Sequence, residues 1–202
     1  MELTSFCHEV FEHGLPKTHN APWEIIKNLE STIWEMIDTL PEDYDVSGGV
    51  AIHSSAIVDP STIIKPPAII GKDCFIGEHG LLRGGVIMGE KATIGASCEV
   101  KCTIIGCKSA LGHFNFVGNS IIGSNVNLEA GAVIANHFNE RAPKDQGIRV
   151  RVENEIIDTG TTRFGAVVGD HVKIGANAVL APGTILKPRT IVARLELVDQ
   201  GA

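Results

Sequence analysis

The sequence predicts an all-β solenoid, a parallel β-helix built from six-residue repeats with a small helical extension at its amino end. An aliphatic residue recurs every six positions from Ile52 through Val58, Ile64, Ile70, Ile76, Leu82, Met88 and Ile94 to Val100. After one-residue contractions it resumes as Ile105, Leu111, Val117, Ile122, Leu128 and Ile134, and after an interruption as Val168, Ile174, Leu180, Leu186 and Val192. Neither a helix nor an ordinary strand has this period. Two positions before most of these stands a small or β-branched residue, among them Ala56, Thr62, Ala68, Cys74, Ala92, Cys98, Ser109, Ala132 and Ala178. Glycine commonly follows the aliphatic residue, as at Gly71, Gly95, Gly106 and Gly175, where a corner leaves little room for a side chain.

Each hexad therefore reads as a short strand and a corner, and three hexads close one triangular coil. A single coil cannot bury its own aliphatic residues, so the coils must stack, at the spacing of about 4.8 Å that hydrogen-bonded strands adopt.

Residues 1–47 lack the hexad and read as a helical cap on residues 48–202. Thr4 or Ser5 can cap a short helix carrying Phe6, Val10 and Phe11, which Gly14 would end. Pro22 suits the first turn of a longer helix, with Trp23, Ile26, Leu29, Ile33, Trp34, Ile37 and Leu40 at intervals of three or four. Pro41 should stop it. The simplest use of this apolar stripe is to cover the open first coil, whose backbone groups would otherwise be unpaired.

Residues 48–136 form the first block of coils, and residues 137–163 break the period. There Arg149–Val152 alternates, Glu153-Asn154 reads as a turn and Ile156-Ile157 follows, which predicts a hairpin. A long insertion in a regular solenoid is usually a functional loop or a contact surface. The block from Phe164 to Val192 adds roughly two coils, and Arg194–Val198 alternates as an edge strand would.

Composition narrows the function classes. A net charge of -7 argues against nonspecific nucleic-acid binding. Five cysteines, an odd number without a CxxC pair, argue against a disulfide framework and a zinc site. The amino end has neither the basic start nor the apolar run of a secretory signal, and no segment is long enough to span a membrane, so the expectation is a cytoplasmic protein.

Arg83, Glu99, Lys101 and His113 cluster in successive coils. The run Glu99-Val100-Lys101, then Gly112 to Gly118, then Asn125 to Gly131 and on to Asn136 resembles the acetyltransferase half of the bifunctional N-acetylglucosamine-1-phosphate uridyltransferase family. Asp158-Thr159-Gly160 and Gly165 to Asp170 are similar to archaeal sugar-1-phosphate nucleotidyltransferases that share this domain. The likeness covers about residues 50–193, and it implies the left-handed sense of the β-helix, a homotrimer with sites between subunits, and acetyl transfer from acetyl-CoA to an amino-sugar 1-phosphate.

An amine attacks a thioester only as the free base, so the site needs a proton acceptor poised near neutral pH. The resemblance makes His113 that base and Glu99 the carboxylate that orients it. It places Arg83 and Lys101 on the sugar phosphate, Asn127 and Phe116 against the sugar, and Asn136, Ala176 and Ala193 along the CoA track. Phe116 stands where the family often has Tyr, Ala176 where a bacterial serine lies near CoA, and Thr161 and Thr162 where archaeal relatives often have basic residues. The 47 residues before the hexads are too few for a nucleotidyltransferase domain.

The chemistry requires no metal. A hexapeptide metalloenzyme would need three converging histidines, two of them close in sequence, and His113 has no such neighbour. The other alternative is a trimeric scaffold or regulatory subunit that kept the coils without the chemistry. Asn127 and Asn136 also have a structural alternative, as left-handed corner residues.

Overall fold

The computed structural model describes residues 6–7 and 21–201. It forms a parallel β-helix of triangular section. One face, A, is a parallel seven-stranded sheet whose strands begin at Ile57, Phe75, Thr93, Ala110, Asn127, Lys173 and Ile191. Face B follows it around the coil, with Ile64, Leu82, Val100, Val117, Ile134 and Leu180 pointing inward, and face C carries Ile70, Met88, Ile105, Ile122, Val168 and Leu186. These aliphatic residues and the small ones two positions earlier fill a single apolar column. Each such side chain removed from water is worth about 1.5–3 kcal/mol, which is why the inward positions dictate the coil.

Most corners turn on one residue in the left-handed region, such as Ser97, Phe114, Asn119, Asn125 and Asn177. Neither Asn127 nor Asn136 is among them, so the corner alternative for those two does not apply. The contraction from eighteen to seventeen residues per coil, seen as Ile76↔Ile94 against Ile94↔Leu111, takes place at the corner between faces B and C. There Arg83 pairs with Lys101 and Val86 with Thr103, so Gly84 and Gly85 together oppose Cys102 alone. Both glycines have positive φ, 68° and 86°, which a side chain at either position would oppose.

The helical stripe divides into α1 (Pro22–Lys27) and α2 (Leu29–Ile37), broken at Asn28. The helices lie along face C rather than across the open end. Ile26, Leu29, Ile33 and Ile37 are buried against the outward residues Ala51, Ile69, Ile87, Ile104 and Ile121 of that face. The reason is in the ladder itself: its outward positions are apolar in every coil, and covering them buries far more than one coil end would. Cys7 joins the same cluster, its thiol donating to Val168 O. The predicted shorter helix, with Val10 and Phe11, lies outside the described residues.

The solenoid ends are finished differently. At the first coil β1 (Tyr44–Ser47) runs antiparallel to β2 (Val50–His53), ending the parallel stack. At the last coil Leu197–Val198 pairs with Val179–Leu180. The side-chain amide of Gln200 accepts from Ile185 N and donates to Ile185 O, both at 2.8 Å, taking the part of one further strand on face C.

The insertion leaves and returns at the corner between faces B and C. Phe164 N donates to Asn136 O and Gly165 N to Asn119 O, closing its base. Within it Arg149–Val152 pairs antiparallel with Glu155–Asp158, and Phe138, Ile148 and Val150 bury themselves in the cluster on face C. Among the described residues no helix is long and apolar enough to cross a membrane.

Candidate active site

Face B and its two edges hold most of the residues singled out in the sequence. Glu99 and Phe116 are register partners in adjacent coils, projecting outward at mid-face, while Arg83 and Lys101 are partners at the corner toward face C. Arg83 leans back across the face. Its Nε and Nη2 both donate to Glu99 Oε1, at 2.8 and 2.5 Å, and both side chains are about one third exposed. Lys101 has no ion-pair partner among the described residues.

This differs from the expected pairing of Glu99 with His113. Glu99 spends its charge on Arg83, the group one coil below it, whereas His113 belongs to the opposite edge of face B, where the chain turns from face A. Its imidazole lies above Gly95: a Cβ there would come within 3.2 Å of His113 Nδ1. The ring is exposed and makes no hydrogen bond within the described chain. Beside it Phe114 is 68% exposed at the tip of the corner, with φ 56°.

Along this edge the coils stack in a column. Gly131 N donates to His113 O, Asn177 N to Ala130 O and Leu195 N to Ala176 O, so His113, Ala130, Ala176 and Arg194 follow one another. At about 4.8 Å per coil the column runs about 14 Å from His113 to Arg194. Two alanines leave it shallow between an imidazole and a guanidinium. Asn127 opens from face A beside it, into a cleft of about 290 Å³ that Lys173, Ala193 and Arg194 also line. Ala176 and Ala193 therefore do lie along one track, but both backbone N–H groups are engaged. Ala176 donates to Glu129 Oε2 at 2.9 Å and Ala193 to Glu196 Oε2 at 2.6 Å.

Glu129 was not foreseen. It takes two hydrogen bonds from Arg194, both 2.7 Å, besides the one from Ala176. The Arg194 bonds first, and then the Ala176 N–H, hold its carboxyl well below the usual range, at about 2. A pair 65 residues apart leaves no periodic signal, although Glu129 does interrupt a run of glycines, Gly77, Gly95, Gly112 and Gly175.

Asn136 falls elsewhere than expected. It is 7% exposed and its Nδ2 donates to Asn119 Oδ1 at 2.5 Å, over Gly118, so its amide secures the base of the insertion. Among the described residues no group of three His, Cys, Asp or Glu is arranged to hold a metal ion. A second cavity, about 240 Å³, lies beside the end of α2, between Met36, Tyr44 and Ile87, and contains none of the candidate residues.

Faces A and B, with the corner column between them, belong to a β-helix of hexapeptide repeats, and known proteins resemble it. Residues 46–142 match the family described as the GMPPB C-terminal domain. More narrowly, the chain is similar to part of the bifunctional sugar-1-phosphate enzymes. It is 34% identical over 168 residues to a bifunctional sugar-1-phosphate nucleotidylyltransferase/acetyltransferase of Sulfurisphaera tokodaii, covering 80% of this chain and 41% of that protein. It is 28% identical over 184 residues to the bifunctional protein GlmU of Methanococcus vannielii, covering 89% of this chain and 43% of that one. The chain thus spans about two fifths of the length of these relatives. A solved hexapeptide transferase family protein from Anaplasma phagocytophilum superposes with a TM-score of 0.43 at 22% identity, over 74% of each chain.

Proposed function

We propose that the chain is an acetyl-CoA-dependent N-acetyltransferase acting on an amino-sugar 1-phosphate, glucosamine 1-phosphate or galactosamine 1-phosphate, as a cytoplasmic homotrimer. The observation that carries this reading is the position of His113. It stands where a face bearing two cations, Arg83 and Lys101, meets a shallow column leading to Arg194. The acceptor lies along face B with its phosphate toward Arg83 and Lys101, where charge-assisted hydrogen bonds hold it. Phe116 and Asn127 flank the sugar. The donor's thin arm runs along Ala130 and Ala176, past Ala193.

In this arrangement the imidazole of His113 takes a proton from the sugar amine as nitrogen attacks the thioester carbonyl. The tetrahedral intermediate collapses with loss of CoA thiolate, which recovers the proton from the imidazolium. Positioned acid-base catalysis of this kind contributes about 100- to 10,000-fold. The carboxylates now on the Ala176 and Ala193 N–H groups must yield if those groups are to meet the donor. Asn136, tied to the insertion, acts on the donor only through the corner that it secures.

The trimer is supported by what faces A and B leave uncovered. Ile57, Ile63, Phe75, Ile191 and Leu197 are exposed there, while the helices cover face C alone. Large apolar residues left exposed toward both ends of these faces mark an interaction surface, and a second copy laid against face B would enclose the Arg83–Glu99 pair.

One observation favours a second reading, a non-catalytic trimeric scaffold: with Glu99 held by Arg83, no carboxylate among the described residues orients His113. Thiol release from acetyl-CoA, followed with each sugar phosphate for the wild type and His113→Ala, separates the two. Release that requires the sugar and drops at least about 100-fold in the variant supports transfer with His113 as base. A folded trimer that releases no thiol with either sugar supports the scaffold.

A further inference from the structure

Beyond the solenoid's own residues, α2 brings a carboxylate to the cationic corner. A Cβ placed on Gly84 would lie 3.7 Å from Glu30 Oε1 and 3.7 Å from Lys101 Cγ, so the two side chains converge on one point. At Gly85 the approach is closer still, 3.2 Å to Glu30 Cγ and 3.4 Å to Glu30 N. The two-glycine corner is what admits the first turn of α2 to this place. Cys102, opposite the glycines, is influenced by both groups. Burial pushes its thiol up to about 11, Glu30 adds to the rise and Lys101 opposes it.

No ion pair joins Glu30 to Lys101, and both are free to meet a third group. These four charges sum to zero: Arg83 is paired with Glu99, and the unpaired Lys101 has Glu30 nearby. A corner built only to hold a dianion would carry a surplus of positive charge. We propose that Glu30 is a specificity-determining residue of this site. Its carboxylate, standing beside the bound phosphate, weakens the grip of Arg83 and Lys101 on a dianionic phosphomonoester. This rests on the reading that Arg83 and Lys101 hold the acceptor's phosphate. The effect is electrostatic, since Glu30 is exposed and supports no buried network.

Titration calorimetry with glucosamine 1-phosphate measures binding whether or not transfer follows. Glu30→Gln should bind it about 3- to 10-fold more tightly, the size expected for one charge removed about 7 Å from a dianion in a largely aqueous setting. The gain should shrink in 0.5 M salt, to which a packing change would be indifferent. Glu30→Asp should bind as the wild type, and inorganic phosphate as competitor should gain in parallel. Lys101→Gln and Arg83→Gln, measured alongside, should each bind less tightly. If those two weaken binding while Glu30→Gln leaves it unchanged or weaker, the role of Glu30 is refuted and the phosphate site stands. If neither cation variant changes binding, the phosphate reading fails, and this inference with it.

Discussion

Glu129 and Arg194 form a two-pronged ion pair that spans the coil between them, with Ala176 N–H completing the grip on the carboxylate. It ties the coil before the insertion to the last coil, and it anchors the far end of the column that starts at His113.

Because the Glu129 carboxyl is held at about 2 in the folded chain, against an ordinary value of 4.5, the pair stabilises the fold fully above that ordinary value. The contribution is lost as pH falls toward 2. Glu129→Gln should therefore lower the urea midpoint at pH 7, and the gap from wild type should close progressively below pH 4.5. A gap that stays constant with pH would show that the substitution acts by something other than charge.

Glu99 serves Arg83, so Glu99→Gln should act on the acceptor rather than on the base. The expected result is a KM for the sugar phosphate lowered about 3- to 10-fold, in the same direction as for Glu30→Gln, since losing either carboxylate leaves the cations with a net positive charge, with the acid limb of the pH–rate profile in place. A displaced limb would mean instead that Glu99 acts on the base.

Gly165 closes the insertion where there is no room for another atom. A Cβ would meet Gly118 O at 2.1 Å and Ser120 Oγ at 2.3 Å, and both neighbours are buried. Gly165→Ala should cost about 1–3 kcal/mol as overpacking, read as a lower denaturation midpoint. Gly160→Ala makes the contrast: a Cβ there meets nothing within 4 Å, although φ is 64° and carries its own smaller strain. Equal losses at the two sites would rule out crowding as the cause.

Val179 lies on the outward side of face B, two coils above Phe116 and away from Arg83 and His113. Val179→Lys should leave the β-sheet circular dichroism unchanged and convert the proposed trimer to a smaller species in sedimentation velocity, since an uncompensated charge in an apolar interface is costly. A variant that sediments as the wild type would take face B out of the interface.

The coil was legible because its inward column is strictly periodic. Ile70, Ile76, Leu82 and their successors face the interior where the spacing puts them, and the period fails where the chain leaves the stack at Asn136. The seat of the helices was expected at the open first coil and missed, although the sequence carries a signal for it that the hexad obscures. On face C the outward neighbour is also aliphatic in coil after coil, as in Ile69-Ile70, Ile87-Met88, Ile104-Ile105, Ile121-Ile122, Val167-Val168 and Ile185-Leu186. A face apolar on both sides has to be covered, so it announces a partner element. By contrast Glu99 with Arg83, Glu129 with Arg194, and Glu30 with Lys101 depend on which way long side chains lean after the coils have stacked. No spacing in the sequence encodes that choice.

A stack of equivalent coils poses a problem of address. Were every layer identical, α2 would fit as well one layer higher or lower, and a displacement of about 4.8 Å would change little in the contacts it makes. The change of perimeter at Gly84 and Gly85 removes that degeneracy. It acts as a dislocation in an otherwise repeating lattice, and Glu30 and Ile33 sit directly upon it. The missing residue in the next coil thus gives the helix a single berth, and with it fixes which layer of the solenoid receives a carboxylate from outside.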